Sequence, residues 1–152
     1  MGTRSKTSFI RKIGDKKECL VSVYQQYDGY IEGVGYEIAN YILSKEICNG
    51  IRLGRDTSKL ANGFDCLIAQ FIRDFKTDVG GLYITTEDNM QEYNYNVIFD
   101  SDLYFKREDT MLVDDLNTSR YFEIEVIDWN NKLLYSGSLE GLLEFKEVYD
   151  DE

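Results

Sequence analysis

The stretch at residues 61–76, ANGFDCLIAQFIRDFK, decides the layout of the chain because it carries the clearest helical pattern. Its large apolar residues recur at intervals of three and four positions, which places them on one face of a helix. We therefore predict an amphipathic helix whose apolar face belongs to the core and which ends at the glycines that follow. The residues of this face are Phe64, Leu67, Ile68, Phe71, Ile72 and Phe75.

The segments before this helix predict a β-hairpin and another helix. TSFIRKI and ECLVSVYQQY, at residues 7–13 and 18–27, are typical of two strands joined by a Gly-Asp turn. YEIANYILSKEIC, at residues 36–48, has helical spacing, and the Asn-Gly pair after it predicts the end of that helix. The apolar positions of the predicted helix are Ile38, Ala39, Ile42, Leu43 and Ile47.

Alternation of apolar and polar residues predicts strands after the helix of residues 61–76. The stretches are LYITTED at 82–88, EYNYNVIFD at 92–100, YFEIEVID at 121–128 and KLLYSG at 132–137. Ser138 is the expected N-cap of a short last helix at residues 139–149. Because most strands follow the helices, we predict a single α+β domain over residues 1–152. It would consist of an antiparallel sheet with two main helices on one face and a short C-terminal helix.

Charge is distributed unevenly along the chain. The whole chain has 17 basic and 28 acidic side chains, whereas residues 1–17 hold six basic side chains and one acidic one. The hairpin of residues 1–27 is therefore basic, and residues 100–152, with 15 acids and five bases, form an acidic half. A field of this sign repels nucleic-acid phosphates and attracts basic protein surfaces. The plainer alternative is that the acidity only keeps the protein in solution.

Composition excludes several chemistries. The chain has no histidine, which removes Ser–His and Cys–His dyads and every His-based metal site. Cys19, Cys48 and Cys66 lack metal-site spacing, and their odd number favours reduced thiols in a cytoplasmic compartment. No window approaches the roughly 18 apolar residues of a membrane span. We expect no catalytic residue, no metal, no cofactor and no membrane association.

The acidic residues near two predicted strand ends form a candidate surface for a partner. Asp100 and Asp102 would share a face of a continuing strand, as a two-carboxylate metal clamp requires, but this spacing is common in acidic chains. We predict a solvated strand end instead. Glu123 and Glu125 alternate with apolar residues and should point away from the core. We assign Asp100, Asp102, Glu123 and Glu125 to an acidic partner-binding surface.

The segment QYDGYIEGVG, at residues 26–35, is a candidate ligand-binding loop because its glycines precede a predicted helix N-terminus, which can hold a phosphate. However, Asp28, Glu32 and Glu37 would repel an anion, and the spacing does not match GxGxxG. A strand-to-helix turn with glycines in the left-handed conformation is the plainer alternative. The candidate ligand-binding residues are Tyr27, Asp28, Gly29, Tyr30, Gly33 and Gly35.

Four motifs resemble a family of small proteins found in bacteriophages, prophages and bacteria. They are MGTRS at residues 1–5, QYDGY with the glycines after it, ANG..CL.AQ at residues 61–70 and GG.Y at residues 80–83. The resemblance extends to about residue 100 and resumes after Tyr121, although Ile31 stands where the family commonly has proline. It implies a phage accessory protein and brings with it no catalytic or binding residue.

The sequence therefore predicts a non-enzymatic phage accessory protein that binds and inhibits a host protein through an acidic surface. The partner would have a basic surface and handle nucleic acid in host defence, and the protein itself would not bind nucleic acid. Two alternatives stay open. One is small-ligand or nucleotide binding at the loop of residues 28–36, and the other is a His-free enzyme that uses carboxylates and tyrosines.

Overall fold

The strands of the computed structural model form one large sheet and one small one, in a structure that describes residues 2–48, 57–105 and 118–147. The strands are β1 Ser5–Ile13, β2 Lys16–Gln25, β3 Glu46–Cys48, β4 Leu60–Asn62, β5 Leu82–Thr85, β6 Tyr93–Asp100, β7 Phe122–Asp128 and β8 Leu133–Gly137. The large sheet has six strands in the order β5-β2-β1-β6-β7-β8, and β3 and β4 pair separately.

The helices lie between and after these strands. They are α1 Tyr36–Leu43, α2 Phe64–Phe75, α3 Ser101–Phe105 and α4 Leu139–Glu144, and a π-helical turn at Ile31–Gly35 leads into α1. The predicted α+β class and the largely antiparallel sheet are confirmed. The central pair is the exception, because β1 and β6 run parallel with Ser5 opposite Tyr93 and Lys12 opposite Asp100.

The first hairpin has the predicted turn. Gly14 and Asp15 join β1 to β2, and Ile13 pairs with Lys16. Gly14 has a φ of 57°, a conformation that glycine adopts without steric cost.

The helix predicted over residues 36–48 is wrong in its second half. The helix α1 ends at Leu43, and the amide of Lys45 donates to Ile42 O at 3.1 Å, a bond that tightens the last turn. Ile47 is buried in β3, where it pairs with Ala61 of β4. Isoleucine is β-branched and is common in strands as well as on helix faces. The four-residue spacing from Leu43 to Ile47 therefore did not require a helix. The predicted Asn49-Gly50 stop lies outside the described residues.

The core lies between the large sheet and the helices. Alternate residues of the central strands, including Phe9, Val97 and Ile124, point to the same face and are fully buried. We call this side the core face and the opposite side the outer face. From the helices, α2 places Phe71 5.2 Å from Phe9 and α1 contributes Ile38 to the same hydrophobic cluster, so both helices cover the core face.

The predicted apolar face of α2 is confirmed, but its predicted end is wrong, because the helix ends at Phe75 and not at Gly80 and Gly81. Its face packs four residues fully into the core, and its last two apolar residues are partly buried. The fully buried residues are Phe64, Leu67, Ile68 and Phe71. Phe64 also stacks on Phe99 of β6 at 4.9 Å between ring centroids. The predicted cap of the last helix is confirmed as well, because the Ser138 hydroxyl accepts from the amide of Gly141 at 3.0 Å.

None of the helices within residues 2–48, 57–105 and 118–147 is long and apolar enough to cross a bilayer.

Candidate functional site

The glycine-rich loop is hydrogen-bonded to the segment that precedes β1 and to a side chain of β6. The amide of Gly29 donates to Thr3 O at 3.0 Å, and the buried hydroxyl of Tyr95 donates to Gly29 O at 2.6 Å. Within the loop, the amide of Gly33 donates to Tyr30 O and that of Val34 donates to Asp28 O. These three amides therefore already have acceptors, which reduces what the loop offers to a bound phosphate.

The glycines of this loop serve close packing rather than an unusual φ. The left-handed conformation expected of them is wrong, because the loop residue with positive φ is Asp28, at 56°. A Cβ on Gly33 would lie 2.1 Å from Asp28 O, and one on Gly29 would lie 2.8 Å from the Cβ of Ser5. A Cβ on Gly35 would lie 3.1 Å from the Tyr95 ring. These contacts favour the interpretation of the loop as a strand-to-helix turn. Ligand binding at the loop stays a prediction.

The side chains proposed to bind a ligand there do not converge. Tyr27 is 63% exposed and Tyr30 is 36% exposed, and Asp28 is exposed beside them. Tyr95 was missed by sequence reasoning, although it is the residue that fixes the loop to the sheet. Its place on the apolar side of the alternating stretch EYNYNVIFD was the available signal.

The four acids predicted as a partner surface lie at one side of the molecule, and two of them also hydrogen-bond to nearby backbone. Asp100 ends β6 and its Oδ1 accepts from the amide of Leu103 at 3.0 Å, so it caps α3. Asp102 lies within α3 and accepts from the amide of Gly14 in the first hairpin turn. Asp100 therefore does end a strand, whereas the extended conformation expected to continue to Asp102 is wrong. Asp100, which precedes SDLYF, was the available N-cap signal.

Glu123 and Glu125 do point to the outer face of β7, as predicted. Glu123 is exposed and accepts from the Ser136 hydroxyl at 3.1 Å. Glu125 is half-buried, and its Oε1 lies 3.5 Å from the side-chain Nδ2 of Asn96. Their role in partner binding stays a prediction.

Two cations lie among these acids, and sequence reasoning missed both. Lys12 lies opposite Asp100 in the parallel pair, and Arg120 lies in the 3-10 turn that precedes β7. Together with Glu123 they line a pocket of about 190 Å³ on the outer face. The side chains of Ile98 and Leu103 form the apolar part of the lining, whereas the ring of Phe122 packs on the core face against Phe64. The outer-face acids are therefore partly compensated by positive charge.

A less compensated acidic surface lies on the helical side. Residues 28–43 contain three acids and no basic residue, and residues 139–147 contain three acids and one lysine. The two segments are in contact, and the Tyr36 hydroxyl donates to Phe145 O at 2.7 Å. We call this surface the α1–α4 acidic face. It consists of Asp28, Glu32, Glu37, Glu140, Glu144 and Glu147.

Within the described residues, no ion pair engages the carboxylates of the α1–α4 acidic face. Glu140 accepts from the Ser119 hydroxyl and Glu147 accepts from the Tyr93 hydroxyl, which are neutral donors. Glu32, Glu37 and Glu144 are exposed, and no hydrogen bond or ion pair within the described residues engages their carboxylates. Partial burial, and then the nearby charge of Asp28, raise the pKa of Glu37. The contribution from Asp28 shows that these two carboxylates repel each other.

Neither a metal-binding group nor a similar protein identifies further functional residues on these surfaces. Within residues 2–48, 57–105 and 118–147, the acidic and thiol side chains form no group of three that is placed to hold a metal ion. No protein-family model, curated protein or solved structure matches the chain. The resemblance to phage and bacterial proteins therefore stays a prediction.

Proposed function

We propose that this protein is a non-catalytic binding protein that docks on a basic surface of a partner protein. The observation that supports the proposal best is the α1–α4 acidic face, where Lys146 is the one basic residue in two adjoining segments with six acids. Glu32, Glu37 and Glu144 project from it with neither a hydrogen bond nor an ion pair in the described part of the chain.

Electrostatics explains why such a face suits a basic partner. Opposite charges on two surfaces steer diffusional encounter and raise the association rate, and like charges suppress binding to acidic molecules. The net charge of −11 acts in the same direction over longer distances. A basic groove that binds nucleic-acid phosphates offers the complementary field.

The partner we propose is a host protein whose groove also binds nucleic acid, and the protein would inhibit it by occupying that groove. Both the phage origin and the host partner rest on the sequence resemblance. The carboxylates would stand in for phosphates, so nucleic acid and this protein should compete for one site.

The helical side is a better docking surface than the one predicted from sequence. Asp100 caps α3, and Asp102 accepts a hydrogen bond from the amide of Gly14. Lys12 and Arg120 lie among the acids of the outer face. Desolvating those acids would also desolvate the cations beside them. On the α1–α4 acidic face, no ion pair within the described residues stands in the way of a partner.

The proposal can be tested by affinity capture from a bacterial host lysate at low and high salt. One arm carries Glu32→Lys, Glu37→Lys and Glu144→Lys. A charge-matched arm carries Glu18→Lys, Glu123→Lys and Glu125→Lys, none of which belongs to the α1–α4 acidic face. Both arms change the net charge equally, so a difference between them reports location rather than total charge.

The expected result is a salt-sensitive partner that the first arm loses and the charge-matched arm retains. Loss in the charge-matched arm alone would contradict the face assigned here and support the sequence-predicted surface. Equal retention by both arms would contradict acidic docking altogether.

A further inference from the structure

The outer-face pocket lies at the carboxyl ends of the parallel strands β1 and β6. Lys12 is the penultimate residue of β1 and Asp100 is the last residue of β6, while α3 and the 3-10 turn close the sides. At about 190 Å³ the pocket is smaller than the roughly 300 Å³ at which drug-sized ligand sites begin.

Groups of both signs face this pocket. Lys12 is half-buried, and within the described residues its ammonium takes part in no hydrogen bond or ion pair. Asp100 uses Oδ1 to cap α3, and Glu123 uses Oε1 to accept from Ser136, so each carboxylate keeps a second oxygen. Arg120 stacks over the Tyr121 ring at 4.8 Å and adds a second positive charge to the lining.

The balance of charge selects among ligand classes. Two cations and two carboxylates line the pocket, so a ligand with a single charge would meet groups of its own sign. A molecule with one carboxylate and one ammonium group would satisfy both. The apolar side chains of Ile98 and Leu103 offer contact to an aliphatic or aromatic side chain.

We propose that this pocket binds a small zwitterion of the size of one free amino acid with an apolar side chain. Lys12 contacts its carboxylate, and Glu123, with Asp100, contacts its ammonium group. This inference does not depend on partner docking, since the pocket and the α1–α4 acidic face lie on opposite sides of the sheet.

The test is a titration of the full isotope-labelled chain with leucine, followed by amide NMR. Two analogues serve as ligand controls: N-acetylleucine keeps only the carboxylate, and leucinamide keeps only the ammonium group. Lys12→Met and Glu123→Gln remove one pocket charge each. Lys17→Met, at the position that pairs with Lys12 on β2, and Glu125→Gln, on the same face of β7, are the matched controls because neither lines the pocket.

We expect leucine to shift the amide signals of Ile98, Leu103 and Glu123, and each analogue to bind at least about tenfold more weakly. Lys12→Met and Glu123→Gln should weaken leucine binding by about tenfold or more, whereas the two control variants should bind as the parent does. Absence of shifts at saturating leucine would overturn the proposal. Equal binding of either analogue, or equal loss in the control variants, would overturn it as well.

Discussion

Replacing Phe71 with alanine tests whether the apolar face of α2 holds the two layers together. Phe71 is 1% exposed, and its ring centroid lies 5.2 Å from that of Phe9, 5.5 Å from that of Tyr41 and 4.3 Å from that of Phe75. Truncating a buried Phe costs about 3–5 kcal/mol, and each ring pair adds about 0.5–1.5 kcal/mol beyond area burial. With three ring partners, we expect a loss in the upper part of that range, about 4–5 kcal/mol.

Urea unfolding followed by far-ultraviolet circular dichroism measures this loss. Because domains of this kind are stable by only about 5–15 kcal/mol, the variant should unfold at a much lower urea concentration. Phe105→Ala is the control, since that side chain is 72% exposed and should change the stability by less than about 0.5 kcal/mol. A loss under about 1 kcal/mol for Phe71→Ala would refute the reasoning and make this face an interface rather than core.

Three further predictions concern the loop, the acid limb of stability and nucleic acid. Gly33→Ala should strongly destabilise the loop, because the new Cβ would lie 2.1 Å from Asp28 O. Gly80→Ala is the control, because its Cβ would meet only ordinary contacts at 3.7 Å or more. Proteolysis and thermal melting compare the two variants. A hydrogen bond from Arg73, followed by one from Tyr41, lowers the pKa of Asp74 to about 2 from its ordinary 3.8. Asp74 therefore stabilises the fold above about pH 4 and loses this effect towards about pH 2, so Asp74→Asn should flatten the acid limb measured by urea unfolding. The parent protein should not retard duplex or single-stranded nucleic acid in a gel at physiological salt, and a salt-sensitive shift would contradict the charge argument.

The parts of the fold that follow from local pattern were predictable from sequence. The spacing of Phe64 to Phe75 specifies α2, and the Gly14 turn specifies the first hairpin, because each depends on neighbours within a few positions. The parallel pairing of β1 with β6 joins Lys12 to Asp100, and no local period reports such a distant partner. The same limit explains why Ile47 was placed on a helix.

The candidate sites could likewise be predicted only in part from the sequence. The acids and the glycine-rich loop were visible as sequence features, but their environments depend on tertiary contacts. Lys12 enters the outer-face pocket through strand register and Arg120 through the placement of its 3-10 turn. Residues 139–147 join residues 28–43 only through helix packing. The role of Gly33 likewise depends on the approach of Asp28 O, which no composition argument reveals.

The salt dependence of the association rate with a captured partner tests the central claim most directly. The account predicts that the rate constant falls steeply as ionic strength rises and that nucleic acid competes for the partner. It also predicts that Glu32→Lys, Glu37→Lys and Glu144→Lys together slow association and leave the unfolding midpoint near that of the parent, because these side chains are exposed. A rate that is unchanged by salt and by the three reversals would contradict docking through the α1–α4 acidic face.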